Sequence, residues 1–167
     1  MRTATLAIAA ISATILVSAI LIELPKKLVY NGSSSSRIGF YWIDDGPIEL
    51  GDFVLMDAPE NVHDLIATRQ YLPSNVPLIK RVVGVGGDEI CRNGRNVSVN
   101  GIGMGVAKSE DFFGRPLPVW QGCETVADDQ IFVVNFHPDS LDSRYFGSVD
   151  RSLIIGRATW LVQAWPL

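Results

Sequence analysis

The sequence predicts a mainly β domain with one short helix, preceded by an N-terminal membrane helix, and three observations carry this reading. From residue 25 onward, short β-branched and aromatic runs alternate with Gly, Asn, Asp and Pro turns, the pattern of a strand-rich domain. Helical periodicity is confined to one window, Glu60 to Leu72. Ahead of both lies the uncharged stretch Ala4 to Ile22, which at helical rise spans about 28 Å, close to the apolar thickness of a bilayer. Residues 1–24 therefore form an anchor or signal segment, and residues 25–167 have the length of one compact domain.

The leading segment has no polar face, which separates it from a buried soluble helix. Ser18-Ala19 runs straight into Ile20, Leu21 and Ile22, a poor cleavage pattern, so an uncleaved anchor is expected. Arg2 precedes the segment and Lys26 and Lys27 follow it, so flanking charge does not fix its orientation.

The expected strands are Gly39 to Ile43, Gly51 to Met56, Leu78 to Val85, Glu89 to Arg92, Asn96 to Val99, Gln130 to Phe136 and Leu153 to Ala164. Asn93-Gly94 and Asn100-Gly101 each read as a two-residue hairpin turn with positive φ at both positions. Gly86-Gly87-Asp88 ends the strand before it. In the helical window Val62, Leu65 and Ile66 have compatible spacing, and Pro73 is the expected stop. Ser33 to Ser36, taken alone, reads as a flexible linker leaving the membrane.

Composition narrows the function before any motif does. A formal net charge of -4, without Lys/Arg clusters among aromatics, argues against a nucleic-acid partner. Cys91 and Cys123 fit neither a metal quartet nor a Cys-x-x-Cys pair, so no metal and no cofactor is implied. A disulfide in an exported domain and two buried thiols remain equally compatible with them. His63 and His137 have Asp64 and Asp139 nearby but sit in no recognisable triad frame, and both read as surface residues.

Three segments bear reactive residues in a fixed order. They are Asn31-Gly-Ser-Ser-Ser-Ser-Arg-Ile-Gly-Phe-Tyr41, Pro77-Leu-Ile-Lys-Arg-Val-Val-Gly-Val-Gly-Gly-Asp88 and Pro138-Asp-Ser-Leu-Asp-Ser-Arg-Tyr-Phe-Gly147. Strand alternation puts Lys80 on one face with Leu78 and Val82, where desolvation favours the neutral amine and makes it a usable base. Arg81 points to the opposite face, and a guanidinium cannot replace that base.

Together these segments resemble bacterial type I signal peptidases and, more closely, their TraF-type conjugative-transfer members, over roughly Tyr30 to Ala158. Two smaller segments, Ala67 to Leu72 and Gly114 to Trp120, point to the conjugative branch. The resemblance implies a signal-peptidase-like β-rich catalytic domain with a Ser/Lys dyad. The nucleophile lies four residues before Gly39, which selects Ser35, with Ser34 and Ser36 as alternatives because Ser36 and Arg37 depart from the family pattern. Lys80 takes the place of the general base and Ser33 of an oxyanion donor. Ser140 supports the lysine amine and Asp142 braces the site, pairing with Arg144 or Arg81. Gly86 stands where the family has proline.

The implied activity is serine endopeptidase cleavage of the leader from an exported precursor, a conjugative pilin, with hydrolysis and cyclisation both open. A housekeeping signal peptidase and a non-enzymatic, membrane-tethered transfer component are the rival readings. The implied partners are that precursor and membrane lipid, which Ile38, Phe40, Tyr41 and Trp42 are candidates to touch, although core filling suits at least half of them. The implied location is the bacterial inner membrane with the domain in the periplasm, or the periplasm alone after cleavage.

Overall fold

The computed structural model describes residue 11 and residues 27–73 and 76–162. The expected membrane segment falls outside these residues, Ile11 excepted, and among the described residues no helix is long and apolar enough to cross a membrane.

In chain order the elements are β1 (Leu28–Asn31), β2 (Gly39–Asp44), β3 (Phe53–Met56), α1 (Glu60–Arg69), β4 (Leu78–Val85), β5 (Glu89–Asn93), β6 (Asn96–Val99) and β7 (Ile102–Val106). They continue with β8 (Gly122–Thr125), β9 (Gln130–Val133), α2 (Ser143–Phe146), β10 (Val149–Asp150) and β11 (Ile154–Val162). A seven-stranded sheet has the order β1-β2-β11-β3-β4-β9-β10, and a four-stranded sheet the order β7-β6-β5-β8. Their named pairings are antiparallel.

Both faces of the larger sheet are covered around β4. Leu78 and Val82 pack with Val54 and Met56 beneath Val62 and Ile66 of α1. On the other face Ile79 joins Leu55, Tyr41, Ile43 and Ala158. The smaller sheet contributes Ile90, Val97 and Val99 to a third cluster with Phe132 and Val134. Strand period 2 sends alternate β4 residues into different cores, and this puts Lys80 in the interior.

The expected strands all occur; Leu78–Val85 and Asn96–Val99 keep their expected bounds and the others shift at one or both ends. β9 stops at Val133, three residues short of the expected Phe136, and β11 runs to the last described residue, Val162. β1, β7, β8 and β10 were not expected from sequence. The helix ends at Arg69 rather than Leu72 because Gln70 adopts φ 56°, ψ 37° and turns its N–H back to the preceding carbonyls, before Pro73 acts. Asn100-Gly101 forms the expected turn, with φ 48° and 74°. The other turn is corrected by one residue: Asn93 pairs with Asn96, so Gly94-Arg95 form the loop, with positive φ at Gly94 but not at Arg95. Gly86 has no room for a side chain, since a Cβ there would lie 2.8 Å from Asp128 Cα.

Cys91 and Cys123 face each other across β5 and β8 and form a disulfide, which resolves the two alternatives. The bond closes a separation of 32 residues. Reduction is expected to lower stability by about 3 kcal/mol through the freed unfolded chain, read as a lower melting temperature in dithiothreitol.

Candidate active site

The four serines lie in the β1–β2 hairpin loop, not in a free linker. Two side chains at its base hold the loop. Asn31 donates from Nδ2 to the Ser33 and Arg37 carbonyls at 3.0 Å each and accepts the Ser33 N–H on Oδ1 at 3.0 Å. From β2, the buried Tyr41 hydroxyl donates to the Arg37 carbonyl at 2.9 Å and lies 3.0 Å from Ser36 Oγ. Burial pushes the Tyr41 phenol up, against the opposing pull of Ser36 and Arg37.

These contacts sort the serines. Ser36 is turned toward Tyr41, whereas Ser33 and Ser35 line a cavity of about 680 Å³. Ser34 is exposed and does not line it. Ser35 Oγ lies 3.0 Å from Ser33 Oγ, and the Ser35 N–H donates to Ser33 Oγ at 3.3 Å.

Lys80 opens on the same cavity from β4. It is 4% exposed, and Nζ donates to Ser140 Oγ at 2.9 Å. Burial pulls the amine down from 10.5 to about 8, the Asp142 charge opposes this, and the Arg144 charge adds to it. Among the described residues no hydrogen bond joins Ser35 Oγ to Lys80 Nζ directly; the two groups face a common space with Ser33 and Ser140 as their partners.

Ser140 is held from behind. Asp142, 0% exposed, caps α2 and accepts from Arg144 Nε at 2.8 Å, Arg144 Nη2 at 2.9 Å and the Asn135 N–H at 3.1 Å. The same Nη2 reaches the carbonyls of Asn135, His137 and Ser140 at 3.0–3.1 Å. Burial opposes the Arg144 charge, but the Asp142 hydrogen bonds and charge outweigh it and raise the guanidinium above its ordinary value. One buried ion pair thus fixes the turn that presents Ser140 to Lys80.

Ser33, Ser35, Lys80 and Ser140 meet at the cavity, with Asp142 and Arg144 behind them. Arg81 is not part of this group. It is exposed on the opposite face, donates from Nε to the Gly51 carbonyl at 3.0 Å and lies over Phe53, so Arg144 alone pairs with Asp142. His63 and His137 do not line the cavity. Of the lipid candidates, Tyr41 is core, Phe40 is half-buried, and Ile38 and Trp42 are exposed.

Sequence reasoning missed Asn135. Its Oδ1 accepts the Arg81 N–H at 3.1 Å and its Nδ2 donates to the Ile79 carbonyl at 2.9 Å, tying the backbone on both sides of Lys80 to the Asp142 turn. An Asn ending an apolar run, Val133-Val134-Asn135, was the available signal. Also missed were Lys108 and Asp139, which pair with each other at the cavity edge beside Ser140.

Comparison with known proteins identifies the family. The family model described as signal peptidase, peptidase S26, matches residues 1–165. A plasmid transfer protein TraF of Escherichia coli is 32% identical over 136 residues, covering 75% of this chain and 77% of that protein. A probable signal peptidase I-2 of Synechocystis sp. is 37% identical over 90 residues, 53% of this chain and 38% of the relative. A crystal structure of a signal peptidase I from Enterococcus faecalis superposes with a TM-score of 0.40 at 20% identity, covering 68% of this chain and 98% of that one. By a family match that spans nearly its whole length, the chain belongs to the signal peptidase, peptidase S26, family and is a serine endopeptidase.

Proposed function

We propose that the chain removes the leader peptide from an exported precursor, with Ser35 as nucleophile and Lys80 as general base. The observation that carries this is the Lys80 amine, buried, lowered to about 8 and opening on the cavity that Ser35 lines. Neutral Lys80 takes the Ser35 hydroxyl proton as Oγ attacks the scissile carbonyl. The C–N bond then breaks, and Lys80 returns the proton to the leaving amine. The acyl-enzyme ends when a second nucleophile attacks its carbonyl and releases Ser35.

The tetrahedral oxygen needs donors already in place. The Ser35 N–H is one, and its 3.3 Å bond to Ser33 Oγ is long enough to yield to a charged acceptor. The Ser33 hydroxyl, 3.0 Å from Ser35 Oγ, is the second. Ser140 orients the lysine, and the Asp142–Arg144 pair orients Ser140.

Cleavage of a synthetic precursor is expected to vanish in Ser35→Ala and to survive in Ser34→Ala and Ser36→Ala. An active Ser35→Ala enzyme would remove the nucleophile assignment. The wild-type kcat/KM should rise through about pH 8 and level off above it, because the deprotonated amine is the working form. A flat profile between pH 6 and 9 would exclude Lys80 as the base.

The similarity to the plasmid transfer protein supports a conjugative substrate, a pilin precursor, over general secretory precursors. Hydrolysis and cyclisation share the acyl-enzyme and differ in the nucleophile that ends it. Product mass decides, since a closed chain is lighter than the linear one by one water. The Cys91–Cys123 disulfide supports an oxidising compartment, and with residues 1–24 as an anchor the domain works at the outer face of the inner membrane.

A further inference from the structure

The two short segments between the catalytic boxes, Ala67 to Leu72 and Gly114 to Trp120, meet in space through Asp111. This residue begins the tip of a small hairpin whose arms bridge at Glu110 and Pro116. Its carboxylate, 7% exposed, accepts from the Tyr71 hydroxyl at 2.5 Å, Arg115 Nε at 2.7 Å and Arg69 Nη1 at 3.4 Å. The N–H groups of Phe113 and Arg115 add two bonds at 2.9 Å. Arg69 also reaches the Pro116 carbonyl at 2.9 Å, and the Arg115 guanidinium lies over the rings of Tyr71 and Phe113. Burial alone would raise the Asp111 carboxyl, but the Tyr71 hydroxyl and the Arg115 donors outweigh it and hold it well below the usual carboxylate range. The clamp therefore stays charged at any working pH.

A hairpin pinned this way holds its tip still, and the tip is apolar. Phe112 is 95% exposed and Phe113 is 72% exposed. The two rings are not equivalent. Phe112 lines the cavity that Ser35 and Lys80 share, beside the exposed Tyr30 and Val76, whereas Phe113 stays outside it against Arg115. An uncovered phenyl ring beside an apolar cavity has a large area to bury against a ligand.

We propose that Asp111 is a positioning residue that holds Phe112 over the cavity mouth, where the ring covers an apolar side chain of the extended precursor segment lying in it. The proposal deepens the peptidase reading and rests on it. A precursor is favoured over lipid because a bilayer would engage Phe113 as well, and only Phe112 borders the cavity.

The test uses the full chain in detergent and two synthetic peptides with an Ala-x-Ala site, one carrying an apolar leader and one trimmed to the residues around the cut. Phe112→Ala should raise KM for the long peptide about tenfold, with kcat and the pH profile unchanged. Phe113→Ala should leave KM as it is, and the trimmed peptide should respond to neither. Asp111→Asn should follow Phe112→Ala. If that variant does not fold, Tyr71→Phe removes a single donor and should raise KM in the same direction. An unchanged KM in Phe112→Ala, or a loss confined to kcat, overturns the inference. So does weaker flotation of Phe112→Ala with phosphatidylglycerol vesicles while KM in detergent stays constant, which would assign the ring to lipid. Retained cleavage in Ser35→Ala would instead sink the underlying reaction, whatever Phe112 does.

Discussion

Lys80→Met is expected to abolish cleavage and, at pH 7, to make the folded protein more stable than the wild type. In the fold the amine sits near 8 instead of 10.5 because burial disfavours its charge. Between those values the unfolded chain holds a proton that the folded chain lacks, so wild-type stability rises with pH across that window. Below 8 both states are protonated and the full penalty is present, about 3 kcal/mol from a shift of that size. Methionine has similar length and no charge. It removes the penalty but leaves Ser140 Oγ without its partner, an offset of roughly 1 kcal/mol. The net gain of about 2 kcal/mol near pH 7 should shrink toward pH 10, where the wild-type lysine is neutral when folded. Urea denaturation at both pH values reads the difference. A variant less stable at pH 7, or a gap independent of pH, would show that the buried amine is not the source.

Arg144→Met should have the opposite outcome, a loss of about 3–5 kcal/mol, the range for removing one partner of a buried ion pair. Asp142 would remain 0% exposed with only the backbone N–H groups of Asn135 and residue 144 as its described donors, and the carbonyls of Asn135, His137 and Ser140 would lose a shared one. Most domains of this size have only 5–15 kcal/mol in total, so partial unfolding at growth temperature is expected. Arg144→Lys keeps the charge but not the planar fork that serves both carboxylate and carbonyls, and should recover little. Replacing both partners, Asp142→Leu with Arg144→Met, should recover part of the loss, because no charge is then left buried alone. If the double variant is as unstable as the sum of the singles, the pair does not act as a unit.

Sequence reasoning reached furthest where a local rule and the tertiary environment agree. β4 was legible because apolar residues alternate around Lys80 while both sheet faces are covered, and the burial of that amine follows from the same alternation. The Asn100-Gly101 turn was legible from its residues alone. The shorter pieces were not. β1 carries Leu28 and Tyr30 outward on an edge strand, and β8 is exposed along its length, so neither shows the periodicity of a buried element. The helix end was missed because Gln70, not a glycine, takes the left-handed position. At the site, Ser140 and Asp142 could be named from their box, but Arg81 and Arg144 were indistinguishable as partners until the fold sent one to each side of the sheet. Asp111 was not legible because two of its donors, Arg69 at the end of α1 and Tyr71 just beyond it, are remote in sequence.

The position of β11 between β2 and β3 imposes an order in time. β2 carries the serine loop and β3 is paired to the lysine strand, yet neither strand pairs with the other; each pairs with β11. β11 must insert before β1 and β2 can join the sheet fragment that holds β3 and β4. A nascent chain therefore holds Ser35 and Lys80 on two sheet fragments that no strand pair joins until residues 154–162 have left the ribosome, a long-range closure that is slow by its topology. On the Ser35–Lys80 reading proposed above, a chain in which β11 has not inserted is expected to cut no neighbour during synthesis.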